Sequence, residues 1–199
     1  MTVYLLRHGE TEYNARWRYL GKTDQPLSSK GREELARAGF SPEVVYVSPL
    51  CRTAQTAGIL FPEAEQRIVP DFSEMDFGIF EGRSADEMAD DPAYRHWVDG
   101  GCLGPIPEGE SKDAFSARTC AAFAALLDGA VAAGEDLLVI VAHGGTQMAV
   151  LERYGRPHRD FYAWPARNGG GYVLDASRWE QERTLTVLRT VQYKKGGSV

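Results

Sequence analysis

The sequence predicts an α/β fold of three layers, with a mostly parallel central sheet and an antiparallel pair of strands near the C-terminus. Three short apolar runs carry the parallel part of this prediction, namely Val3–Leu6, Val44–Val47 and Leu137–Ala142. Continuous apolar runs of this length are typical of strands that are buried on both faces. Helix patterns lie between these runs, and strands that alternate with helices favour a parallel sheet covered by helices.

Four segments have the start and stop signals expected of the covering helices. Ser28–Gly39 ends in glycine, and Leu50–Leu60 follows Pro49, which a first helical turn tolerates. Ser111–Ala133 is the longest helix pattern, and Thr146–Tyr154 is the last one before the C-terminal region. We expect these four helices to cover the sheet.

The middle of the chain is less regular and predicts a segment outside the sheet. Ser84 opens a capping box that begins a short helix, and Asp91–Val98 follows as a second helix. Gly100–Gly109 contains four glycines and two prolines and is therefore expected to be a loop. We interpret residues 84–111 as a cap-like segment over a functional site at the ends of the predicted strands. The whole chain, residues 1–199, is expected to form a single domain.

The C-terminal region changes from helix patterns to strand patterns. Gly171–Asp175 and Thr184–Thr190 predict the antiparallel pair of the sheet. The tail Lys194–Val199 is expected to fray, as chain termini commonly do.

Composition and charge limit the class of partner and the compartment. The 199 residues carry a formal net charge of −6, so no overall field attracts nucleic acid or an anionic membrane, and neither partner is expected. The three cysteines form no disulfide framework and indicate free thiols in a reducing compartment. The N-terminal residues lack a signal-peptide pattern, and no apolar run approaches the length that spans a bilayer. We therefore expect a cytoplasmic protein.

Cationic and imidazole side chains follow the predicted strands at the points where the strands end. Arg7 and His8 end the first strand, Arg52 lies just past the second, and His143 ends the third. Because the carboxyl ends of parallel strands meet at one edge of a sheet, we expect these side chains to lie together. Arginine forks suit phosphate oxygens, so the sequence predicts a site for a phosphate dianion.

A neutral imidazole in such a site is a competent nucleophile toward phosphorus. One ring nitrogen of His8 must then carry a proton and be held by an acceptor, and a backbone carbonyl in the Gly9 turn could serve. The leaving alkoxide also needs a proton donor. The acidic segment of residues 73–82 offers three carboxyl groups, and we choose Glu74 over Asp76 and Glu81.

Together these motifs resemble the histidine phosphatase superfamily, which has the phosphoglycerate mutase-like fold. The sequence RHGET at residues 7–11 resembles the nucleophile motif, and SPLCRTAQTA at residues 48–57 is similar to the motif of the second arginine. GKTDQPL at residues 21–27 resembles the segment after the nucleophile. Glu74 with its following FG and EG pairs matches the proton-donor segment, and HGG at residues 143–145 matches the second histidine.

The resemblance implies a reaction and a role for each matched residue. His8 would be phosphorylated, water would hydrolyse the phosphohistidine, and Glu74 would act as acid and then as base. The groups implied to hold the phosphate are those of Arg7, Arg52, His143 and Asn14. Further substrate contacts are expected from Thr11, Gly21 and Gly144. The resemblance implies neither a metal nor a cofactor.

Within the superfamily, the chain is too short for the long insertions of phosphoglycerate mutases. PEGES at residues 107–111 resembles the cap segment of the phosphatase branch, and residues 144–174 are similar to bacterial α-ribazole phosphatases. Those enzymes remove the 5′-phosphate of α-ribazole 5′-phosphate, or of its cobamide-linked form, in cobalamin assembly. The resemblance therefore implies a small-molecule phosphomonoester as substrate, and the sequence leaves the oligomeric state open.

Five aromatic residues are candidates for a wall against a benzimidazole-like ring, although each could instead pack in the core or at its rim. They are Trp17, Tyr19, Trp97, Tyr162 and Trp164. Three rival functions stay open: a broad phosphatase for sugar phosphates, nucleotides or phosphoglycerates, a phosphoglycerate mutase, and a non-catalytic relative that binds phospholigands.

Overall fold

The computed structural model describes residues 1–165 and 167–195. In that part of the chain, seven strands form one sheet: β1 (Thr2–Arg7), β2 (Val44–Val47), β3 (Glu65–Ile68), β4 (Leu137–Ala142), β5 (Gly155–Arg156), β6 (Gly170–Asp175) and β7 (Leu185–Gln192). Their order across the sheet is β3-β2-β4-β1-β6-β7-β5. Strands β1 to β4 run parallel, whereas β6 is antiparallel to both β1 and β7. The predicted fold class, a mostly parallel sheet with an antiparallel C-terminal pair, is confirmed.

The helices are α1 (Glu12–Ala15), α2 (Ser29–Glu34), α3 (Cys51–Leu60), α4 (Pro92–Asp99), α5 (Lys112–Ala132), α6 (Gly144–Tyr154) and α7 (Trp179–Glu182). Helix α3 begins at Cys51, so Pro49 precedes the helix and does not lie in its first turn. Helix α2 ends five residues before the predicted Gly39. It stops because Leu35 turns to an extended conformation (ψ 141°) and buries its side chain while bridging to Lys194.

Two apolar clusters cover the two faces of the sheet and define the three layers. Alternate residues of β1 point to opposite faces, so Leu5 belongs to the cluster with Phe123 of α5, and Leu6 to the cluster with Leu60 of α3. The register of β1 on β4 places Leu5 beside Ile140, and both are fully buried. This packing fixes the positions of the carboxyl ends of β1 and β4, and therefore of His8 and His143, which follow them.

A third apolar cluster lies beside the sheet, under residues 84–111. This segment contains a short 3₁₀ turn at Asp86–Met88, helix α4 and the loop that follows it. Ser84 and Glu87 form the predicted capping box, each accepting a hydrogen bond from the backbone N–H of the other. Trp97 of α4 is buried against Phe80. The segment is thereby packed onto the rest of the molecule.

Strand β3 was not predicted because it has no apolar run. All four of its residues are exposed, and it pairs only with β2, at the edge of the sheet. Apolar runs and apolar–polar alternation arise where a strand is buried, so a solvent-exposed edge strand shows neither pattern in the sequence.

The sequence predicted no apolar run long enough to span a bilayer. By length and composition alone, helix α5 is the one helix among the described residues that meets this requirement, because its sequence is rich in alanine. Its large side chains, including Phe115, Phe123 and Leu127, are buried against the sheet and neighbouring segments.

The beginning of the C-terminal tail is held in place, contrary to the predicted fraying. The Lys194 ammonium lies 2.7 Å from a carboxylate oxygen of Glu34, and the backbone N–H of Lys195 donates to the Glu34 carbonyl oxygen. The rest of the predicted tail, residues 196–199, lies outside the described residues.

Candidate active site

The two histidines lie side by side at the carboxyl ends of β1 and β4. The backbone N–H of His8 donates to the Ala142 carbonyl oxygen (3.0 Å), which extends the pairing of the two strands by one residue. The imidazole centroids of His8 and His143 are 5.2 Å apart, and both side chains are buried. The structure therefore places these two side chains together at one edge of the sheet, as predicted.

Hydrogen bonding selects one tautomer of His8. Its Nδ1 lies 2.7 Å from the carbonyl oxygen of Gly9, which can only accept, so Nδ1 carries the proton and the Nε2 lone pair is free. This is the acceptor that the sequence suggested. The Gly9 N–H is itself held by Thr56 Oγ1 (2.9 Å). Burial, with the charges of Arg52 and Arg7, holds the pKa of His8 well below its ordinary value, so the imidazole is neutral at pH 7.

His143 is also a neutral, buried imidazole. Its Nε2 lies 2.8 Å from Ser48 Oγ, whereas its Nδ1 is buried without a hydrogen-bond partner in the described part of the chain. Burial, followed by the charge of Arg52, lowers the pKa of His143 well below the ordinary histidine value. A buried polar atom without a partner costs free energy, and an oxygen of a bound phosphate would supply the partner.

Arg52 is fully buried and its guanidinium is clamped by a loop. Its two terminal nitrogens donate to the carbonyl oxygens of Thr23 and Gly21, each at 2.8 Å. Glu81 holds the same loop from its other side, because its carboxylate accepts from the N–H groups of Gly21 (2.8 Å) and Thr23 (3.0 Å). Glu81 thus positions Arg52 through the loop.

Glu74 is a carboxyl group that lines the same cavity as His8. Its two oxygens accept from the backbone N–H groups of Met75 (3.0 Å) and Gly145 (3.1 Å). A Cβ at position 145 would lie 2.3 Å from a Glu74 oxygen, so glycine is needed for this close approach. Burial raises the pKa of Glu74, despite the two backbone hydrogen bonds and the nearby arginines, which favours the protonated acid.

The two other carboxylates of the acidic segment are occupied elsewhere. Asp76 forms an ion pair with Lys22 (2.7 Å), and Glu81 holds the loop described above. Neither side chain lines the cavity that contains His8, whereas Glu74 does. The geometry therefore agrees with the choice of Glu74 made from the sequence.

This cavity has a volume of about 290 Å³ and two chemically different ends. The polar end is formed by Arg7, His8, Asn14, Glu74 and Gly144. The other end is apolar and includes Tyr19, Met75, Phe77, Trp97, Phe115 and Tyr162. Arg52 and His143 are fully buried behind the polar end and do not line the open space.

Two residues predicted to contact substrate support the local fold and do not line the cavity. Thr11 is buried and caps α1, accepting from the Asn14 N–H at 3.3 Å, and it does not line the cavity. Gly21 also lies outside the cavity wall, and a Cβ there would lie 2.0 Å from the Met75 carbonyl oxygen. Thr11 thereby helps to position Asn14, and Gly21 belongs to the loop that holds Arg52.

The predicted aromatic wall is present in part. Tyr19, Trp97 and Tyr162 line the apolar end of the cavity, and the first two rings lie 5.9 Å apart in an edge-to-face arrangement. Trp164 belongs to the core on one face of the sheet, where it is 2% exposed. Trp17 is 87% exposed and faces a different depression. Residue type alone could not separate these placements.

Two polar side chains that support the site were missed. Asn168 donates to Asn14 Oδ1 (3.0 Å) and to the carbonyl oxygens of His8 (3.2 Å) and Gly9 (3.3 Å). Arg118 donates to the Glu74 carbonyl oxygen (3.1 Å) from helix α5. The glycine run after Asn168 could have drawn attention to it, whereas Arg118 is a single arginine on a long helix and belongs to no motif in the sequence.

Within residues 1–165 and 167–195, no group of three or more His, Cys, Asp or Glu side chains is arranged to hold a metal ion. The functional groups gathered at the cavity are imidazoles, guanidinium groups, an amide and one carboxyl group.

Comparison with known proteins agrees with this arrangement. The model of the histidine phosphatase superfamily (branch 1) matches residues 3–188. GpmB of Klebsiella pneumoniae (strain 342), named a probable phosphoglycerate mutase, is 35% identical over 153 residues, which are 72% of this chain and 70% of GpmB.

Two solved structures share the whole architecture. An Escherichia coli K-12 protein provisionally named an alpha-ribazole-5′-P phosphatase superposes with a TM-score of 0.80 at 25% identity, covering 96% of each chain. A phosphoglycerate mutase from Thermus thermophilus superposes with a TM-score of 0.72 at 27% identity, covering 96% of this chain and 98% of that one. The chain therefore belongs to the histidine phosphatase superfamily.

Proposed function

We propose that the protein is a phosphomonoesterase that works through a phosphohistidine at His8, with α-ribazole 5′-phosphate as its leading substrate. One observation carries the reaction type. A neutral His8, with Nε2 free, opens into the same cavity as Glu74, a buried carboxyl group whose pKa is raised. A nucleophile and a proton donor that face one space are the two groups that the cleavage of a phosphate ester needs.

The first half of the reaction transfers the phosphoryl group to the protein. His8 Nε2 attacks phosphorus, the bond from phosphorus to the ester oxygen breaks, and Glu74 gives its proton to the departing alkoxide. Arg7, Arg52 and His143 stabilise the negative charge on the phosphoryl oxygens. The buried Nδ1 of His143 gains its missing partner at this stage.

The second half restores the protein. Glu74, now a carboxylate, accepts a proton from water as the water oxygen attacks phosphorus. The bond from phosphorus to His8 Nε2 breaks, inorganic phosphate leaves, and both catalytic groups return to their starting protonation states.

The leaving-group end of the cavity supports a substrate with a planar aromatic ring. Tyr19, Phe77 and Trp97 offer ring faces and edges on one side of the space, with Tyr19 and Phe77 centroids 5.0 Å apart. α-Ribazole 5′-phosphate carries a benzimidazole ring on its sugar, and the likeness to the Escherichia coli protein supports the same substrate.

Phosphoglycerate turnover is the second candidate, and the likeness to GpmB favours it. A phosphoglycerate is small, polar and anionic beyond its phosphate. The apolar lining formed by Phe77, Trp97 and Phe115 gives such a leaving group few partners, so we rank this candidate below the aromatic substrate.

The compartment and partners follow from the same proposal. All three cysteines are free, which fits a reducing cytoplasm. The substrate is a small phosphomonoester, and nucleic acid or membrane partners are not needed for the reaction.

Phosphate release tests the proposed function directly. The substrates are α-ribazole 5′-phosphate, 3-phosphoglycerate, a nucleotide and a sugar phosphate, and the variants are His8→Ala and, as a matched control, the exposed His158→Ala. We expect the highest kcat/KM for α-ribazole 5′-phosphate, its loss in His8→Ala, and no change in His158→Ala. Equal activity across the substrates would overturn the substrate, and equal activity of wild type and His8→Ala would overturn the mechanism.

A further inference from the structure

The backbone around Glu74 has no regular structure of its own. Residues 73–77 lie between two 3₁₀ turns, at Pro70–Phe72 and Gly78–Phe80, and belong to no helix or strand. The hydrogen-bond ladder of a helix or sheet therefore does not fix the position of this part of the chain. We call residues 71–76 the Glu74 segment and ask which side chains hold it.

Arg118 of helix α5 holds the Glu74 segment by its carbonyl groups. Its Nη1 donates to the carbonyl oxygens of Asp71 and Ser73, both at 2.9 Å, and its Nη2 donates to that of Glu74 at 3.1 Å. A guanidinium presents several donors in one rigid plane, which suits it to bind several acceptors at once. One side chain thus fixes four consecutive residues of the segment.

Glu110 in turn fixes the guanidinium of Arg118. Its Oε1 accepts from Nε (2.7 Å) and its Oε2 from Nη2 (2.8 Å), and the two side chains are only 21% and 23% exposed. A bidentate pair of this kind restricts both partners to one geometry. Glu110 also binds the segment directly, because its Oε2 accepts from the Asp76 N–H (2.9 Å) and its own N–H donates to the Asp76 carbonyl oxygen (2.9 Å).

The PEGES sequence at residues 107–111 combines these contacts in one short stretch. A Cβ at Gly109 would lie 2.5 Å from the Asp76 carbonyl oxygen, so glycine permits the close approach of the two segments. Ser111 caps the N-terminus of α5, the helix that carries Arg118. The motif therefore begins the helix of this arginine and supplies the carboxylate that orients it.

We propose that Arg118 and Glu110 are positioning residues for Glu74. By holding the backbone of the Glu74 segment, they keep the carboxyl group on the N–H of Gly145 and in the cavity of His8. Neither side chain lines that cavity, so each acts through Glu74. The inference rests on the proposed function, in which Glu74 protonates the leaving alkoxide.

Two leaving groups, of which only one needs an acid, test this proposal. Arg118→Lys keeps the charge but cannot reach three carbonyl oxygens, and Glu110→Gln keeps the shape but removes the charge. We expect kcat/KM for glycerol phosphate to fall about 10- to 100-fold in each variant, because small displacements of a catalytic group have effects of this size. The kcat/KM for p-nitrophenyl phosphate should change by less than about twofold, because p-nitrophenolate leaves without a proton.

Arg183→Gln is the control, because it breaks the ion pair of Arg183 with Asp128, which also lies on α5. It should leave kcat/KM unchanged for both substrates. Equal losses for both substrates in the Arg118 and Glu110 variants, or no loss for either substrate, would overturn the proposal. Should Arg118→Lys not fold, Glu110→Gln decides the same comparison.

A double variant separates positioning from a general weakening of the fold. In Glu74→Gln the acid is already absent, so adding Arg118→Lys or Glu110→Gln should lower kcat/KM for glycerol phosphate no further. Losses that multiply would overturn the proposal, because they would show that the pair acts independently of Glu74.

The amide signal of Gly145 in ¹⁵N-labelled protein reports the Glu74 carboxyl group without turnover, because the Gly145 N–H donates to it (3.1 Å). We expect this signal to move in Arg118→Lys and Glu110→Gln and to stay in place in Arg183→Gln. An unmoved signal in the first two variants would overturn the proposal. If wild type releases phosphate from neither substrate, the proposed function is in error, and the Gly145 signal then decides the positioning of Glu74 by itself.

Discussion

The two ends of the catalytic cavity are built in different ways. At the polar end, His8 follows β1, Arg52 lies in the first turn of α3, and His143 precedes α6. At the apolar end, Tyr19 and Trp97 come from segments outside the sheet, a loop and the short helix α4. The polar end is fixed by the sheet itself, whereas the apolar end depends on how irregular segments pack.

This difference suits the polar end to the chemical step and the apolar end to the recognition of the leaving group. The polar groups are buried and tied to backbone atoms, as in the contact of His8 with Gly9 and the contacts of Arg52 with Gly21 and Thr23. Such groups are organised before substrate arrives, which is what the stabilisation of charge in a transition state requires. Loops on a rigid scaffold are the parts that vary without loss of the fold, so we propose that the choice of leaving group resides there.

The largest effect short of removing His8 is expected at the proton donor. Glu74→Gln keeps the shape but cannot supply a proton, so kcat/KM for an alkyl phosphate should fall by about 10²- to 10⁴-fold. The kcat/KM for p-nitrophenyl phosphate should fall much less, because p-nitrophenolate leaves without a proton and kcat/KM does not include the later attack by water. A similar loss of kcat/KM for both substrates would show that Glu74 is needed for structure and not as an acid.

The pH dependence of kcat/KM sharpens this prediction. Attack needs neutral His8, whose pKa is lowered, so the rising limb should lie below the ordinary histidine value of about 6.5. Donation needs protonated Glu74, whose pKa is raised by burial, so the falling limb should lie above the ordinary glutamate value of about 4.3. Glu74→Gln should abolish the falling limb and leave the rising limb in place.

A smaller effect is expected at Glu81, which holds the loop that fixes the guanidinium of Arg52. Glu81→Ala removes the carboxylate that holds Gly21 and Thr23, and Arg52 loses its fixed direction. We expect kcat/KM to fall about 10- to 100-fold, with weaker inhibition by inorganic phosphate. Glu81→Gln keeps one acceptor oxygen and should recover part of the loss. Normal phosphate inhibition in Glu81→Ala would contradict the link to Arg52.

The smallest effect is expected at the apolar end, and it should depend on the substrate. Trp97→Leu keeps an apolar side chain but removes the indole face, so KM for an aromatic substrate such as α-ribazole 5′-phosphate should rise about 3- to 10-fold. Glycerol phosphate has no ring and serves as the internal control. A rise of the same size for both substrates would mean that Trp97 supports the cavity without selecting the ring.

The polar end could be predicted from the sequence because its residues follow strands that bury both faces. A continuous apolar run such as Leu137–Ala142 marks the strand and its end, and the end marks the site. The motif also pointed to Glu74 as the carboxyl group that lines the cavity, although its contact with Gly145 comes from a distant part of the chain. The substrate contacts predicted for Thr11 and Gly21 stay predictions, because both residues support the local fold and neither lines the cavity.

The apolar end and the depression of about 670 Å³ beside the cavity could not be predicted, because their walls combine loops with separate helices and strands, and the sequence does not show how these pack together. Trp97 and Trp164 are equally plausible in sequence, yet one lines the cavity and the other fills the core. Arg18 and Arg167 are 149 positions apart and meet only through the packing of loops. Non-local contacts of this kind leave no local signal for sequence reasoning.

Capture of the phosphoenzyme tests most directly whether the polar end is a phosphoryl-transfer site. Wild-type protein is mixed with excess substrate, stopped with base within milliseconds, and digested for mass spectrometry, since phosphohistidine survives base. A single phosphorylated histidine at position 8, absent from His8→Ala and present in His158→Ala, is the expected result. Steady phosphate release from wild type without any phosphorylated His8, or with label at another residue, would contradict the mechanism.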